Sequence, residues 1–559
     1  MLEDLDLESI ADGQARELVR GLLNLLEEVM ADLRAAEAEI QRLRDENNRL
    51  KGEQGQPKIK PNKPPESTDH SSEKKRRKPK EWSKGSKTDN IAIGREQLVE
   101  IDRDSLPPDA QFKGYEDVVV QDVIFRTDNV LFHKEKFYSP SQHKTYLAPL
   151  PQGYSGQFGP GVKALALVFY FGAQISEPKV AELLRNVGVQ ISDGQVSNLL
   201  IKDQDAFHGE KESLYRAGLA SSPWQHMDET GTPVNGENWH CHIVCNPLYT
   251  AYLSTEGNDR LAVIDVLTNG QERLFLINEE AFSYLETFGL SAVRRQQLWQ
   301  LPWEQLLDEG NMECLLKAYL PNLGPQQRKW VLDATAVAAY HAQVEFPVVR
   351  LLVCDDAPQF RLVTEELALC WVHEGRHYKK LSPWIRHHRE LVEAFLKGFW
   401  AYYQQLLEYR QQPWPDQAVQ LEQEFDVLFS TQTGYGALDD RILKTRGKKE
   451  CLLMVLRHPE IPLHNNPAEL GARVRVRQRD VSFGLRTEDG AHAWYTFGTL
   501  AATARKLGVG FYHYIHDRVS GAYRMPSLAS LVEEHGQELS LGHSWLPLKE
   551  DRDEARHQF

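Results

Sequence analysis

Apolar side chains in the first fifty residues return every three or four positions. Leu22, Val29, Ala36, Leu43 and Leu50 repeat at every seventh residue, and Leu26, Leu33, Ile40 and Asn47 fill the complementary offset. With the first set at d and the second at a, the seam fits a left-handed supercoil, and Asn47 at an a position favours two strands. Residues 1–52 are therefore expected to form a coiled coil that joins two copies into a homodimer, although a helix lying on the chain's own body shares the pattern. The pattern then vanishes. Residues 53–90 are mostly Lys, Pro, Ser and Glu, with little to bury, and read as a basic disordered linker. Lys74–Lys87 holds eight Lys or Arg against one Glu. Lys74, Lys75, Arg76 and Arg77 are expected to add phosphate affinity that weakens with salt, where the alternative is a solvated tether.

Residues 91–155 read as a small β-rich module, with strands at Val118–Phe125 and Val130–Tyr138 around the turn Thr127-Asp-Asn129. The period then becomes helical. Val162–Phe171 is one helix, and Ser176-Glu-Pro opens a second. Gly188 ends that one, and Ser192 opens a third over Asp193–Lys202. This spacing over 156–215 is that of a helix-turn-helix, which would turn Asp193, Gln195, Ser197 and Asn198 toward DNA. Structural bundles use the same spacing.

Strand patterns follow at Trp224–Asp228, Trp239–Cys245 and Tyr249–Ser254, with turns at Asn235-Gly236 and Asn246-Pro247. A helix near Arg260–Leu267, a strand at Val348–Cys354, a helix at Phe360–Leu367 and a strand at Ala368–Val372 complete the order of a ribonuclease H-like mixed sheet. In that order the first and fourth strands are neighbours. The core is split into 219–268, 344–381 and 461–520 by helical insertions at 269–343 and 382–460, before a C-terminal tail, 521–559. The expected class is a multidomain α+β/α/β protein.

Three acidic residues carry the candidate chemistry. Asp228 and Asp355 end apolar runs, and Glu469 opens a helix in His464-Asn-Asn-Pro-Ala-Glu469. Two carboxylates on adjacent strands repel unless a cation lies between them. Together the three would hold two Mg²⁺ ions, with Mn²⁺ as a substitute, for phosphoryl transfer. Asp356 competes with Asp355, since successive strand residues face opposite ways and only one reaches the metals. Glu469 also fits a capping box, with Asn466 at the N-cap and Pro467 following. Arg473, Arg475, Arg477, Arg479 and Arg486 crowd downstream, a composition suited to phosphates. Cys370, His373 and His377 form one zinc-like cluster, a ligand short of a structural site, and His240-Cys-His242 with Cys245 form another. No glycine-rich phosphate loop or nucleophile elbow is present.

At 559 residues the chain exceeds a single core. Its 41% hydrophobic and 26% charged residues are ordinary for a globular protein. The longest apolar run, Ala164–Ala173, is half a membrane span. The acidic start lacks a secretion signal, and six scattered cysteines fit a reducing cytoplasm, so a cytoplasmic, nucleoid-associated protein without a membrane partner is expected. A net charge of −15 does not by itself mark a DNA binder, but the basic residues are clustered.

The segments His226-Met-Asp-Glu-Thr-Gly231, Cys370-Trp-Val-His-Glu-Gly-Arg376 and Asn465-Asn-Pro-Ala-Glu469 resemble the insertion sequence 66 family of transposases, the large TnpC-type proteins. The order of coiled coil, linker with Lys63-Pro-Pro-Glu-Ser-Thr-Asp69, helix-turn-helix and interrupted catalytic domain extends the resemblance along nearly the whole chain. The resemblance implies a DDE transposase that binds double-stranded DNA at the element's terminal inverted repeats and at the target, with Asp228, Asp355 and Glu469 as its triad. Accessory proteins are an open question. Two departures stand out. Family members commonly carry a cysteine zinc module before the helix-turn-helix, whereas residues 91–155 contain no cysteine, and His464 stands where the family has Asp. A non-catalytic DNA-binding regulator and a nuclease without strand transfer are the rival readings.

Overall fold

The computed structural model describes residues 10–50, 91–154, 156–482 and 484–538. The basic linker with Lys74, Lys75, Arg76 and Arg77 lies outside the described residues. The protein is a helix-rich α+β chain built around a mixed sheet of five strands. These are β1 (Trp224–Val234), β2 (Glu237–Cys245), β3 (Thr250–Thr255), β4 (Leu351–Cys354) and β5 (Glu366–Leu369), in the spatial order β3-β2-β1-β4-β5.

Local chemistry explains the hairpin. Asn235 and Gly236 both adopt positive φ, 50° and 85°, as a tight two-residue connection requires, and Asp228 pairs with Ile243 across it. β1 and β4 run parallel, with Trp224 opposite Leu351 and His226 opposite Val353. Both are buried on both faces there, which accounts for the apolar sequence of β4, while the polar Gln225 and His226 of β1 are met by hydrogen bonds from Tyr249 and to Asn465. The adjacency of first and fourth strands expected from the sequence is thus present. β1, however, runs on to Val234, so Asp228 lies inside the strand, level with the end of β4.

A long helix, Asn466–Ser482, packs across β1 and β2, and another, Glu488–Lys506, packs on β3. Gly471 permits the first contact, because a Cβ there would lie 2.8 Å from Ile243 Cγ2. The chain between β3 and β4 contains Arg260–Leu267 and four further helices with a short strand pair, and that between β5 and Asn466 contains the helices from Trp371 to Arg457. No helix among the described residues is long and apolar enough to cross a membrane.

Several local expectations are corrected. Val118–Phe125 forms no strand; the hairpin is Lys136–Ser139 with Lys144–Leu147. Val118, Val120 and Ile124 are exposed, and a β-branched apolar run without a partner surface stabilises no strand. The expected helix Phe360–Leu367 shrinks to one 3₁₀ turn, Pro358–Phe360. The last strand stops at Leu369, and Trp371–Lys379 is a helix. Cys370 explains that switch: its Sγ accepts the His373 N–H as a cap, while the Trp371 indole donates to the Leu452 carbonyl at 2.8 Å.

The N-terminal segment is a single helix, Gly13–Leu50. One stripe docks on the helical stretch after residue 380. Glu27 accepts the Trp384 and Ile385 N–H groups at 3.1 and 2.6 Å, and Leu23 packs against Ile385. Leu22, Val29, Leu33, Ile40 and Leu43, most of the heptad seam, remain about half exposed on other faces, while Leu26 joins the docked stripe.

Candidate active site

The site is assembled where β1, the end of β4 and two helix starts meet. Extending the β1–β4 register by two residues from His226–Val353 sets Asp228 beside Asp355. Asp228 Oδ1 accepts the Glu229 N–H at 2.9 Å, and Asp355 Oδ1 accepts the Ala357 N–H at 3.1 Å. Each aspartate keeps a second oxygen with no hydrogen bond to the described residues. Burial pushes the Asp228 carboxyl up to about 7, and the neighbouring charges of Asp355 and Glu469 push in the same direction. All three carboxyls therefore share one electrostatic neighbourhood.

Glu469 reaches it through a clamp. Its helix begins at Asn466, so Glu469 lies in the first turn, and its two oxygens accept from Arg376 Nη1 and Nη2 at 3.0 and 2.9 Å. That bidentate fork fixes the carboxylate plane. Asn465 immediately precedes the helix and ties it to β1. His226 Nδ1 donates to Asn465 Oδ1 at 2.9 Å, and Asn465 Nδ2 donates to the Met227 carbonyl at 2.7 Å. His226 is fully buried, and burial drives its pKa down to about 3, so the ring is neutral with its proton on Nδ1. Cys370 Sγ also accepts the Asn465 N–H, and Trp371 N–H donates to the Leu463 carbonyl. Cys370 is thus spent on two backbone groups. The segments His226–Gly231, Cys370–Arg376 and Asn465–Glu469 consequently interlock in space. His226, Arg376 and Asn465 stood inside those segments without a role in the sequence reading; only their mutual contacts reveal one.

Asp356 takes a different environment from Asp355. It pairs with Lys448 and approaches His373 and His377 at 3.8 and 3.7 Å. The cluster His240, Cys241, His242 and Cys245 is not gathered: the residues alternate along β2, and His242 bonds Thr255 at 2.7 Å.

The basic residues divide sharply. Arg473 and Arg477 are exposed on the Glu469 helix, and Arg479 donates to the Gly231 carbonyl at 2.6 Å. Arg475 is corrected: it is buried, bonded to Thr232 and Gln478, with its guanidinium 4.7 Å from the Trp494 ring centre. An arginine buried in this way, with both Nη groups bonded inside the protein, cannot grip a phosphate. In the helix pair Glu177–Asn186 and Asp193–Ile201, Gln195 is likewise consumed. Its amide accepts the Ser192 N–H in a capping box and donates to Gln157 at 2.8 Å. Ser197 bonds Glu177, while Asn198 is exposed. Two surface cavities, of about 420 and 320 Å³, lie at the far end of the β1–β2 hairpin and along β3, and neither is lined by the triad.

The family model described as Transposase IS66 family matches residues 344–493, a span that contains Asp355, Arg376 and Glu469 but not Asp228. A protein of Sinorhizobium fredii, described as uncharacterized protein y4jO, is 30% identical over 323 residues, 57% of this chain and 99% of that protein. No solved structure matches.

Proposed function

We propose, since the chain belongs to the IS66 family of transposases, that it binds the ends of an insertion element and cuts and joins DNA with Asp228, Asp355 and Glu469. The reading rests above all on one observation: the β1–β4 register sets Asp228 beside Asp355, and Arg376 holds Glu469 where its charge is felt at Asp228. Such a cluster is unfavourable alone and is relieved by a cation. The donor set fits a hard divalent ion, because all three groups offer oxygen and both aspartates have an uncommitted one. Bound Mg²⁺, or Mn²⁺ in its place, supplies Lewis acidity for the scissile phosphate and for the attacking water or 3′-hydroxyl.

The chain's own residues do the positioning. Backbone N–H groups orient the two aspartates, and Arg376 holds Glu469 through both of its oxygens. Asn465 fixes the Glu469 helix against β1, so the carboxylates keep their relation as DNA arrives. The strand order agrees with a ribonuclease H-like core. Arg473 and Arg477 lie on the same helix as Glu469 and are suited to DNA phosphates, with Arg479 closer to the sheet. In the helix-turn-helix set Asn198 is exposed, unlike Gln195 and Ser197. The half-exposed seam of the N-terminal helix suits pairing with a second copy, which would bring two element ends together.

The test is cleavage and strand transfer on a plasmid carrying the element's own ends, with Mg²⁺. The wild type is expected to nick and join, and D228N to bind ends without nicking. Nicking by D228N at the wild-type rate overturns the assignment, and nicking without joining in the wild type turns the reading toward a nuclease.

A further inference from the structure

A second cluster lies beside the carboxylate triad and has a different chemistry. His373 and His377 are four residues apart on the helix Trp371–Lys379, so their rings project from one face. Both aim Nε2 at the same atom, Oδ1 of Asp356, at 3.8 and 3.7 Å. One ligand atom from each residue can be chosen so that all three lie within 4.8 Å of one another. Around a tetrahedral ion with bonds of about 2.0–2.1 Å, ligand atoms stand roughly 3.3–3.5 Å apart. The two histidine–carboxylate distances need to close by only a few tenths of an ångström, and the two imidazoles already lie within 4.8 Å of one another. His377 Nε2 is a buried atom with no hydrogen-bond partner, an uncompensated cost that a ligand would remove.

The surroundings brace this arrangement. Lys448 bonds the other Asp356 oxygen, Oδ2, and leaves Oδ1 turned to the histidines. Lys448 also bonds Glu374 Oε2 at 2.9 Å, and Glu374 is itself held by Arg441 and Thr445. A carboxylate oriented by outer partners is what a metal ligand requires. The Lys448 and Arg441 charges are balanced by Asp356 and Glu374, so an arriving dication meets a neutral group rather than a positive one. All three ligand residues are partly exposed, which leaves a path for the ion and a position for water.

We propose that Asp356, His373 and His377 form a separate binding site for a borderline divalent metal, zinc foremost. Two imidazoles and one carboxylate favour zinc over magnesium, whereas the all-oxygen triad favours magnesium. Asp355 and Asp356, adjacent in sequence, would then serve two sites of opposite preference. The ion would pin the end of β4 to the helix that carries Arg376, and so steady the Glu469 clamp. This inference does not depend on the DNA-cutting reading.

The experiment uses the full chain, stripped of metal by chelation. Zn²⁺ is titrated calorimetrically, and Co²⁺ is followed in parallel by its visible absorption, which reports nitrogen ligation. The wild type and D228N are expected to bind one tight equivalent, while H373A and H377A lose about tenfold or more in affinity. The Co²⁺ spectrum should lose intensity in the same two variants. H373Q and H377Q, with unchanged thermal melts in chelator, guard against loss through misfolding. Absence of a stoichiometric site in the wild type overturns the proposal. So does equal affinity in the histidine variants, or loss of the site in D228N with retention in H377A. None of these results bears on the D228N cleavage assay, so the two readings can fail separately.

Discussion

Replacing Asp228 with Asn should change the protein's pH dependence in a calculable way. In the folded, metal-free chain the Asp228 carboxyl is raised from 3.8 to about 7, first by burial and then by Asp355 and Glu469. A folded-state acid that holds its proton more tightly than the unfolded chain does contributes stability at low pH. That contribution falls as pH rises from about 4 toward 7, at roughly 1.4 kcal/mol per unit, and is gone above 7. Between about pH 5.5 and pH 8 the wild type should therefore lose about 2 kcal/mol through this one group. D228N cannot ionise and lacks the loss. Urea unfolding in EDTA, followed by tryptophan fluorescence, compares the two proteins at both pH values, and titrating groups remote from Asp228 cancel in the difference. The gap should move by about 2 kcal/mol in favour of D228N at the higher pH. Added Mg²⁺ should stabilise the wild type at pH 8 and leave D228N nearly unchanged. A gap that is the same at both pH values refutes the claim that Asp228 is buried among like charges.

Other perturbations separate positioning from binding. R376A should cost about 1–2 kcal/mol, between a surface and a buried pair since Arg376 is 38% exposed and Glu469 17%, and should lower cleavage more than DNA binding. A lysine there should not restore cleavage, because it cannot form the two-pronged contact. R473A and R477A should each weaken DNA binding and flatten its salt dependence by about one unit of slope. R475A should instead lower the melting temperature, with Thr232 and Gln478 left unpaired. Removing residues 1–50 should reduce the mass seen in light scattering; an unchanged mass contradicts pairing through that helix.

The core strands and their hairpin turn were readable because their signals are local. Apolar runs at Trp224–Asp228 and Val348–Cys354 and the Asn235-Gly236 turn need no knowledge of distant residues. Glu469 was readable as a helix-start acid for the same reason. The rest depends on contacts between segments remote in sequence. Arg475 looks like its neighbours until Thr232 and Trp494 close around it. Gln195 is the exception: its tie to Ser192 is a local Ser-x-x-Gln capping box, and only its bond to Gln157 spans a longer separation. The roles of Arg376 and Asn465 arise across 93 and 239 residues of separation, beyond any local pattern. Val118–Phe125 shows the converse: a β-branched run with good strand composition but no partner surface.

The most direct measurement is an anomalous difference map from crystals of the full chain with element-end DNA and Mn²⁺. Manganese is expected between Asp228 and Asp355, with Glu469 in reach and the scissile phosphate alongside. Manganese confined to Asp356, His373 and His377, with nothing at Asp228, contradicts that assignment.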